Sequence, residues 1–187
     1  MERITVQDLP KIKSLKGKII CFPTDTVYGI GALASDSEGI EKIYKMKHRE
    51  AKKPLPILCS TIEQVKKIAI VDEAVEKIMI KHWPGALTII LNKKVNVLPN
   101  YQSTVAVRIP NEKIALDTIN YFSILATTSV NISGEKELSS IEEIANEFDD
   151  VIDYCIIDSA KFSKVPSTII DATTADIKII RQGSVII

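Results

Sequence analysis

Thr24, Asp25, Thr26 and Tyr28 follow directly on an apolar run, Ile19-Ile20-Cys21-Phe22, with Pro23 at the junction and Gly29 and Gly31 just beyond. The apolar run reads as a buried strand. Proline removes a ladder donor, so the strand ends, or lies at an edge, at Pro23. Two hydroxyls and a carboxylate leaving a core strand, with glycine behind them for close backbone approach, suit either the wall of a binding site or a polar hairpin corner.

Four further groups could carry chemistry. Lys42, Lys45, Lys47, His48, Arg49, Lys52 and Lys53 form a basic stretch. Guanidinium and ammonium together suit a triphosphate, and a cationic helix end is equally a solvated complement to the helix dipole. Ser129 and Asn131 alternate about Val130, so on an extended chain they face one way, towards phosphate oxygens or a ribose, or form a capped turn. Arg108 lies among β-branched core residues and needs an anion there, from a partner carboxylate or from a ligand. Arg181 is near a chain end, where charge is commonly solvated.

The elements that must position these groups alternate between strand and helix. Strands are expected over 18–22, 29–34, 55–59, 86–91, 104–110, 123–127, 151–157, 168–171 and 177–180. Residues 1–16 space Ile4, Val6, Leu9, Ile12 and Leu15 about three apart, which predicts a short amphipathic helix near Pro10. Capping boxes are expected at Ser35/Glu38 and Ser60/Glu63, with Asp72 and Ser139/Ser140 capping later helices and 112–121 helical. Pro99-Asn100 signals a turn. Irregular alternation with short connections implies an α/β fold with a mixed, curved sheet. Three of the polar stretches sit at strand ends, where ligands bind in open α/β sheets.

Composition narrows the rest. The length of 187 residues favours one domain over 1–187. The formal net charge is zero, so phosphate or nucleic-acid chemistry must come from a local basic cluster. Cys21, Cys59 and Cys155 are widely spaced among apolar neighbours, against a disulfide framework or zinc site. His48 and His82 are the only histidines, which leaves a histidine metal site or Ser-His-Asp triad poorly supplied. There is no P-loop, no dinucleotide fingerprint, no run of transmembrane length and no signal peptide, so a soluble cytoplasmic protein without membrane partners is expected.

In order, PTDTVYG from Pro23, Lys47-x-Arg49 followed by Pro54-Leu55, the Thr104–Pro110 strand TVAVRIP, Ser129-x-Asn131-x-Ser133-Gly134, Ser167-Thr168-Ile169-Ile170-Asp171 and a final Arg181-x-Gly183 make the chain resemble the YrdC-type threonylcarbamoyl-AMP synthases in their single-domain form. The resemblance implies a twisted mixed sheet of the YrdC/RibB-like kind, open-barrel-like, with helices packed around it and a deep basic cavity. It implies an enzyme, a nucleotidyltransferase, that joins L-threonine, bicarbonate or CO2, and ATP into threonylcarbamoyl-AMP and pyrophosphate. That product feeds tRNA threonylcarbamoyladenosine modification through a downstream transferase complex.

By the same resemblance, Lys47 and Arg49 are catalytic, and Thr26, Arg108 and Thr127 bind threonine, with Arg108 on its carboxylate. Arg49, Lys53, Thr104, Ser129, Asn131 and Arg181 surround ATP. Ser167 is a polar lining residue, and Leu58 stands where some relatives carry a histidine near threonine. Magnesium is implied by the triphosphate, with no protein ligands visible for it. Two other readings stand beside this one: a module that binds tRNA or double-stranded RNA without catalysis, and a carbamoyl-transfer domain of hydrogenase maturation.

Overall fold

The computed structural model describes residues 1–49, 54–95, 98 and 101–187. Ten strands form one open mixed sheet: β1 (Glu2–Ile4), β2 (Ile20–Pro23), β3 (Tyr28–Leu33), β4 (Ile57–Leu58), β5 (Leu87–Asn92), β6 (Thr104–Arg108), β7 (Leu125–Ser129), β8 (Tyr154–Ile156), β9 (Thr168–Asp171) and β10 (Lys178–Arg181). Their spatial order is β1-β8-β2-β3-β7-β4-β6-β5-β9-β10, with β1 and β10 at the edges. Pairs β2/β3, β3/β7, β4/β7, β5/β6 and β9/β10 are antiparallel, and β1/β8, β2/β8, β4/β6 and β5/β9 are parallel. The expectation of a mixed sheet in an α/β fold is met.

Both faces of the sheet are covered, and β2 shows why its sequence lacks polar alternation. Its odd residue Cys21, with the preceding Ile19, packs in one apolar cluster, whereas Ile20 and Phe22 pack in the other. The first cluster takes the apolar stripes of α1 (Ser37–Met46), α2 (Ile62–Ile68), α3 (Glu73–His82) and α5 (Ile141–Phe148), through Ile40, Ile43, Val65, Val75, Met79 and Ile144. The second takes Ala115 and Ile119 of α4 (Lys113–Phe122), together with Leu9, Ile12 and Leu15 from the N-terminal segment.

Three local expectations are corrected. Residues 1–16 are not an α-helix: β1 docks parallel on β8, and a 3-10 turn over Val6–Lys11 follows with Pro10 inside it. The spacing of Leu9, Ile12 and Leu15 still placed them in the core. The Ser35/Glu38 box does not form; Asp36 is the N-cap, and its Oδ2 accepts from Gly17 N at 2.6 Å instead of capping the helix. At α2 the cap moves by one residue: Thr61 Oγ1 accepts from Gln64 N, while Gln64 Oε1 reaches back to Ser60. Asp72 and Ser140 cap as expected, the latter in a box with Glu143. The Pro99-Asn100 turn lies outside the described residues. Among the described residues, no helix is long and apolar enough to cross a membrane.

Candidate functional site

The corner between β2 and β3 is tied around Thr24. Its Oγ1 donates to Val27 O at 2.7 Å and accepts from the backbone N–H of Thr26 and Val27. Thr26 Oγ1 lies 3.1 Å from Thr24 Oγ1, whose one proton and two lone pairs are already engaged by Val27 O and the two N–H groups. Thr26 Oγ1 also accepts from Arg108 Nη1 at 3.2 Å. A continuous line of polar contacts thus joins Arg108 through Thr26 and Thr24 to Val27 O. Thr26 Oγ1 keeps a lone pair for a ligand, and its proton is not committed to another protein oxygen with a free lone pair.

Arg108 closes β6 and is almost wholly buried. Nε donates to Gly85 O at 3.0 Å and Nη2 to Asp25 Oδ1 at 2.6 Å. Of the two anions the sequence left open, the structure supplies the carboxylate of Asp25. Burial draws the guanidinium pKa below its ordinary value, and Asp25 opposes that shift. Five N–H donors less three engaged leave two for a ligand.

β7 runs beside β3 with Gly31 opposite Thr127 and Gly29 opposite Ser129. A Cβ on Gly29 would stand 3.1 Å from Thr127 Cγ2, and one on Gly31 would stand 3.1 Å from Thr127 Oγ1. The two glycines thus make room for the Thr127 side chain. Thr127 Oγ1 donates to Leu125 O at 3.2 Å, so it too meets a ligand with lone pairs.

Beyond β7 the chain wraps around Lys47, the residue that ends α1. Lys47 Nζ donates to Ser129 O, Asn131 O and Asn131 Oδ1, each at 2.7 Å, and Ser129 Oγ donates to the same Oδ1 at 2.8 Å. The lysine is 2% exposed. Burial first, then the charge of Arg49, lowers its pKa from the usual 10.5 to about 8, with Glu137 opposing. The basic stretch is therefore not a uniformly solvated helix face. His48 turns the chain with φ of 48°, and Arg49 follows into the site.

A segment from the far edge completes the wall. Ser163 N and Lys164 N donate to Asp25 O and Thr26 O, and Phe162 packs its ring 4.7 Å from that of Tyr28. Arg181 Nε and Nη2 donate to Ser167 O at 3.1 and 2.9 Å, and Ser167 Oγ lies 2.9 Å from Thr88 Oγ1. The Arg181 guanidinium is thus fixed at the cavity.

These parts enclose a cavity of about 320 Å³ whose lining includes Thr26, Leu58, Arg108, Thr127, Ser167 and Arg181. A second hollow of about 310 Å³ is lined by Lys47, His48, Asn131, Ser133 and Gly134. Arg49, Thr128 and Ser129 line both, so the two hollows adjoin. Thr26, Arg108, Thr127, Arg49, Ser129, Arg181, Lys47 and Asn131 are accordingly brought together. Thr104 is not: it lines neither hollow and pairs with Asn92 at the other end of β6, on the order of 13 Å of strand from Arg108. Lys53 lies outside the described residues. The sequence reading missed Thr88, Thr128, Glu137 and Lys164, which also line the cavity. Among the described residues, Lys164 joins Arg49, Arg108 and Arg181 as a lining cation, against one lining carboxylate, Glu137. Among the described residues, no group of three His, Cys, Asp or Glu could hold a metal ion, so magnesium finds no protein cage there.

The Sua5/YciO/YrdC family model, described as "Telomere recombination", matches residues 13–183. The chain is 41% identical over 187 residues to a putative threonylcarbamoyl-AMP synthase of Methanocaldococcus jannaschii, spanning 97% of this chain and 87% of the relative. It is 37% identical to the threonylcarbamoyl-AMP synthase of Pyrococcus abyssi over 90% of this chain, which is 51% of that protein, about half its length. The crystal structure of P. abyssi Sua5 complexed with L-threonine superposes with a TM-score of 0.87 at 34% identity, over 97% of this chain and 56% of that one.

Proposed function

The chain belongs to the Sua5/YciO/YrdC family, and from that premise we propose that it is an L-threonylcarbamoyladenylate synthase, a nucleotidyltransferase that converts L-threonine, bicarbonate or CO2, and ATP into threonylcarbamoyl-AMP and pyrophosphate. The observation that carries this reading is the junction of the two hollows at Arg49, Thr128 and Ser129. One hollow has the groups to seat an amino acid, the other is cationic and polar, and Arg49 lines both.

In this reading Arg108 gives its two remaining donors to the threonine carboxylate. Thr26 and Thr127, left with lone pairs, accept from the amine or the side-chain hydroxyl of the substrate. The neutral amine attacks the carbon of CO2 and loses a proton, giving a carbamate. A carbamate oxygen then attacks the α-phosphorus of ATP in line with the departing pyrophosphate. Charge on the phosphates is met by Arg49 and Arg181, with Ser129 and Asn131 beside them. No side chain forms a covalent intermediate; positioning and charge stabilisation carry the rate. Magnesium, which the triphosphate implies, would offset phosphate charge beside the Arg49 and Arg181 guanidiniums. The product is consumed by a transferase that modifies tRNA, and the reaction is placed in the cytoplasm.

The test is incubation with L-threonine, ATP-magnesium and carbon-14 bicarbonate. Label should enter an AMP-containing product in equal amount to released pyrophosphate, and only when threonine is present. Nucleotide binding without labelled product would contradict the proposal.

A further inference from the structure

An ammonium has three hydrogens, and those of Lys47 are all spent on oxygens of one short loop: Ser129 O, Asn131 O and Asn131 Oδ1. The loop is tied back in turn. Lys47 O accepts from Ser133 N at 3.0 Å, and Asn131 Nδ2 donates to Glu135 O at 2.7 Å. Among the described residues, no carboxylate lies within ion-pairing distance of Lys47. A buried cation with neutral oxygens on every hydrogen has no N–H to turn towards the hollow without breaking the loop's fold.

We propose that Lys47 is a positioning residue: a buried ammonium that holds the 129–135 loop in shape and lends it positive charge, without giving the nucleotide phosphates an N–H of its own. The charge-lending part rests on the ATP reading above; the loop-holding part does not. This differs from the catalytic contact that the sequence resemblance implies for Lys47. The direct phosphate donors are then Arg49, which lines both hollows, and the loop's own groups.

The charged groups around Lys47 bear on how it titrates. Arg49 pushes its pKa down and Glu137 pushes it up. His48 shares the second hollow, and Lys45, on the preceding turn of α1, is paired with Glu41 at 2.8 Å. Burial dominates and disfavours the charged form, and the loop oxygens are the acceptors that meet its three hydrogens.

Three measurements decide the matter. In ligand-free Lys47→Met, amide exchange over 129–135 should rise by about tenfold or more while the strands stay protected. An unchanged loop overturns the proposal. In the Asn131→Ala protein, which keeps Lys47, the lysine titration followed by carbon-13 NMR at Cε should move to lower pH than in the wild type. An unmoved titration overturns the proposal, and this arm needs no lysine variant to fold. Calorimetry with inorganic pyrophosphate should show each single variant weakening binding by about tenfold, with the double variant no weaker than the worse single. Multiplying losses would mean that Lys47 meets the phosphate independently, and would overturn the proposal. If pyrophosphate fails to bind the wild type, the ATP reading and the charge-lending part fall together, while the exchange and titration arms still decide the loop-holding part.

Discussion

Arg108 Nη2 and Asp25 Oδ1 lie 2.6 Å apart, with the two side chains only 9% and 16% exposed. The residues are 83 positions apart in sequence, and the pair joins the end of β6 to the β2–β3 corner. A buried ion pair is weak evidence for stability as a whole, but removing one partner strands the other's charge. Asp25→Ala should therefore cost about 3 kcal/mol in urea unfolding. Replacing both residues with Met should cost less than that single change. A loss below about 0.5 kcal/mol for Asp25→Ala would place the pair in effective contact with water.

Gly29→Ala tests the room made for Thr127. The new methyl would meet Thr127 Cγ2 at 3.1 Å and Thr24 Cγ2 at 3.5 Å, two side chains that line the cavity. Displacing them by a few tenths of an ångström should raise the L-threonine concentration at half-saturation about tenfold and leave that for ATP within about twofold. Equal changes for both substrates would contradict this assignment of the cavity's ends.

Lys47 gives a pH prediction with a definite sign. It titrates near 8 in the folded chain against an ordinary 10.5. Between those values the unfolded chain holds the extra proton, so this group makes stability rise with pH. Below about pH 8 the full penalty of burying the charge is present, on the order of 3 kcal/mol. Comparing wild type with Lys47→Met, the wild type should gain on the order of 2 kcal/mol relative to the variant between about pH 7.5 and pH 10. A difference that is flat over this window would show that the lysine keeps its ordinary affinity for protons.

Arg181 is held by Ser167 yet belongs to the exposed edge strand β10. Arg181→Ala should leave unfolding within about 0.5 kcal/mol of wild type, as for other surface substitutions, and weaken binding of a non-hydrolysable ATP analogue by about tenfold. Unchanged nucleotide affinity would remove Arg181 from the site.

The β2–β3 corner was legible in the sequence because an apolar strand, a proline and a cluster of hydroxyls fall within a few residues. Arg108 was legible because a cation among β-branched residues must find an anion; that the anion is Asp25 was not, since nothing local links the two. The burial of Lys47 was not legible for a similar reason. A lysine at a helix end among other cations looks solvated, and only the return of β7 alongside β3 brings the 129–135 loop over it. Thr88 and Ser167 meet across the parallel β5–β9 pair, and Lys164 reaches the site through backbone bonds to the corner. Contacts of that range leave no periodicity to detect. The capping boxes at α1 and α2 failed by a residue because Asp36 and Gln64 found other donors, a competition that spacing alone does not resolve.

The central claim is that one continuous space seats an amino acid at Arg108 and phosphates at Arg49. Calorimetry of L-threonine and of a non-hydrolysable ATP analogue, on Arg108→Lys and Arg49→Ala, tests it most directly. Lysine keeps a charge for Asp25 but loses the planar fork, so Arg108→Lys should weaken threonine about tenfold or more and change the nucleotide about twofold at most. Arg49→Ala should do the reverse. Both variants weakening the same ligand, or neither ligand responding, would contradict the account.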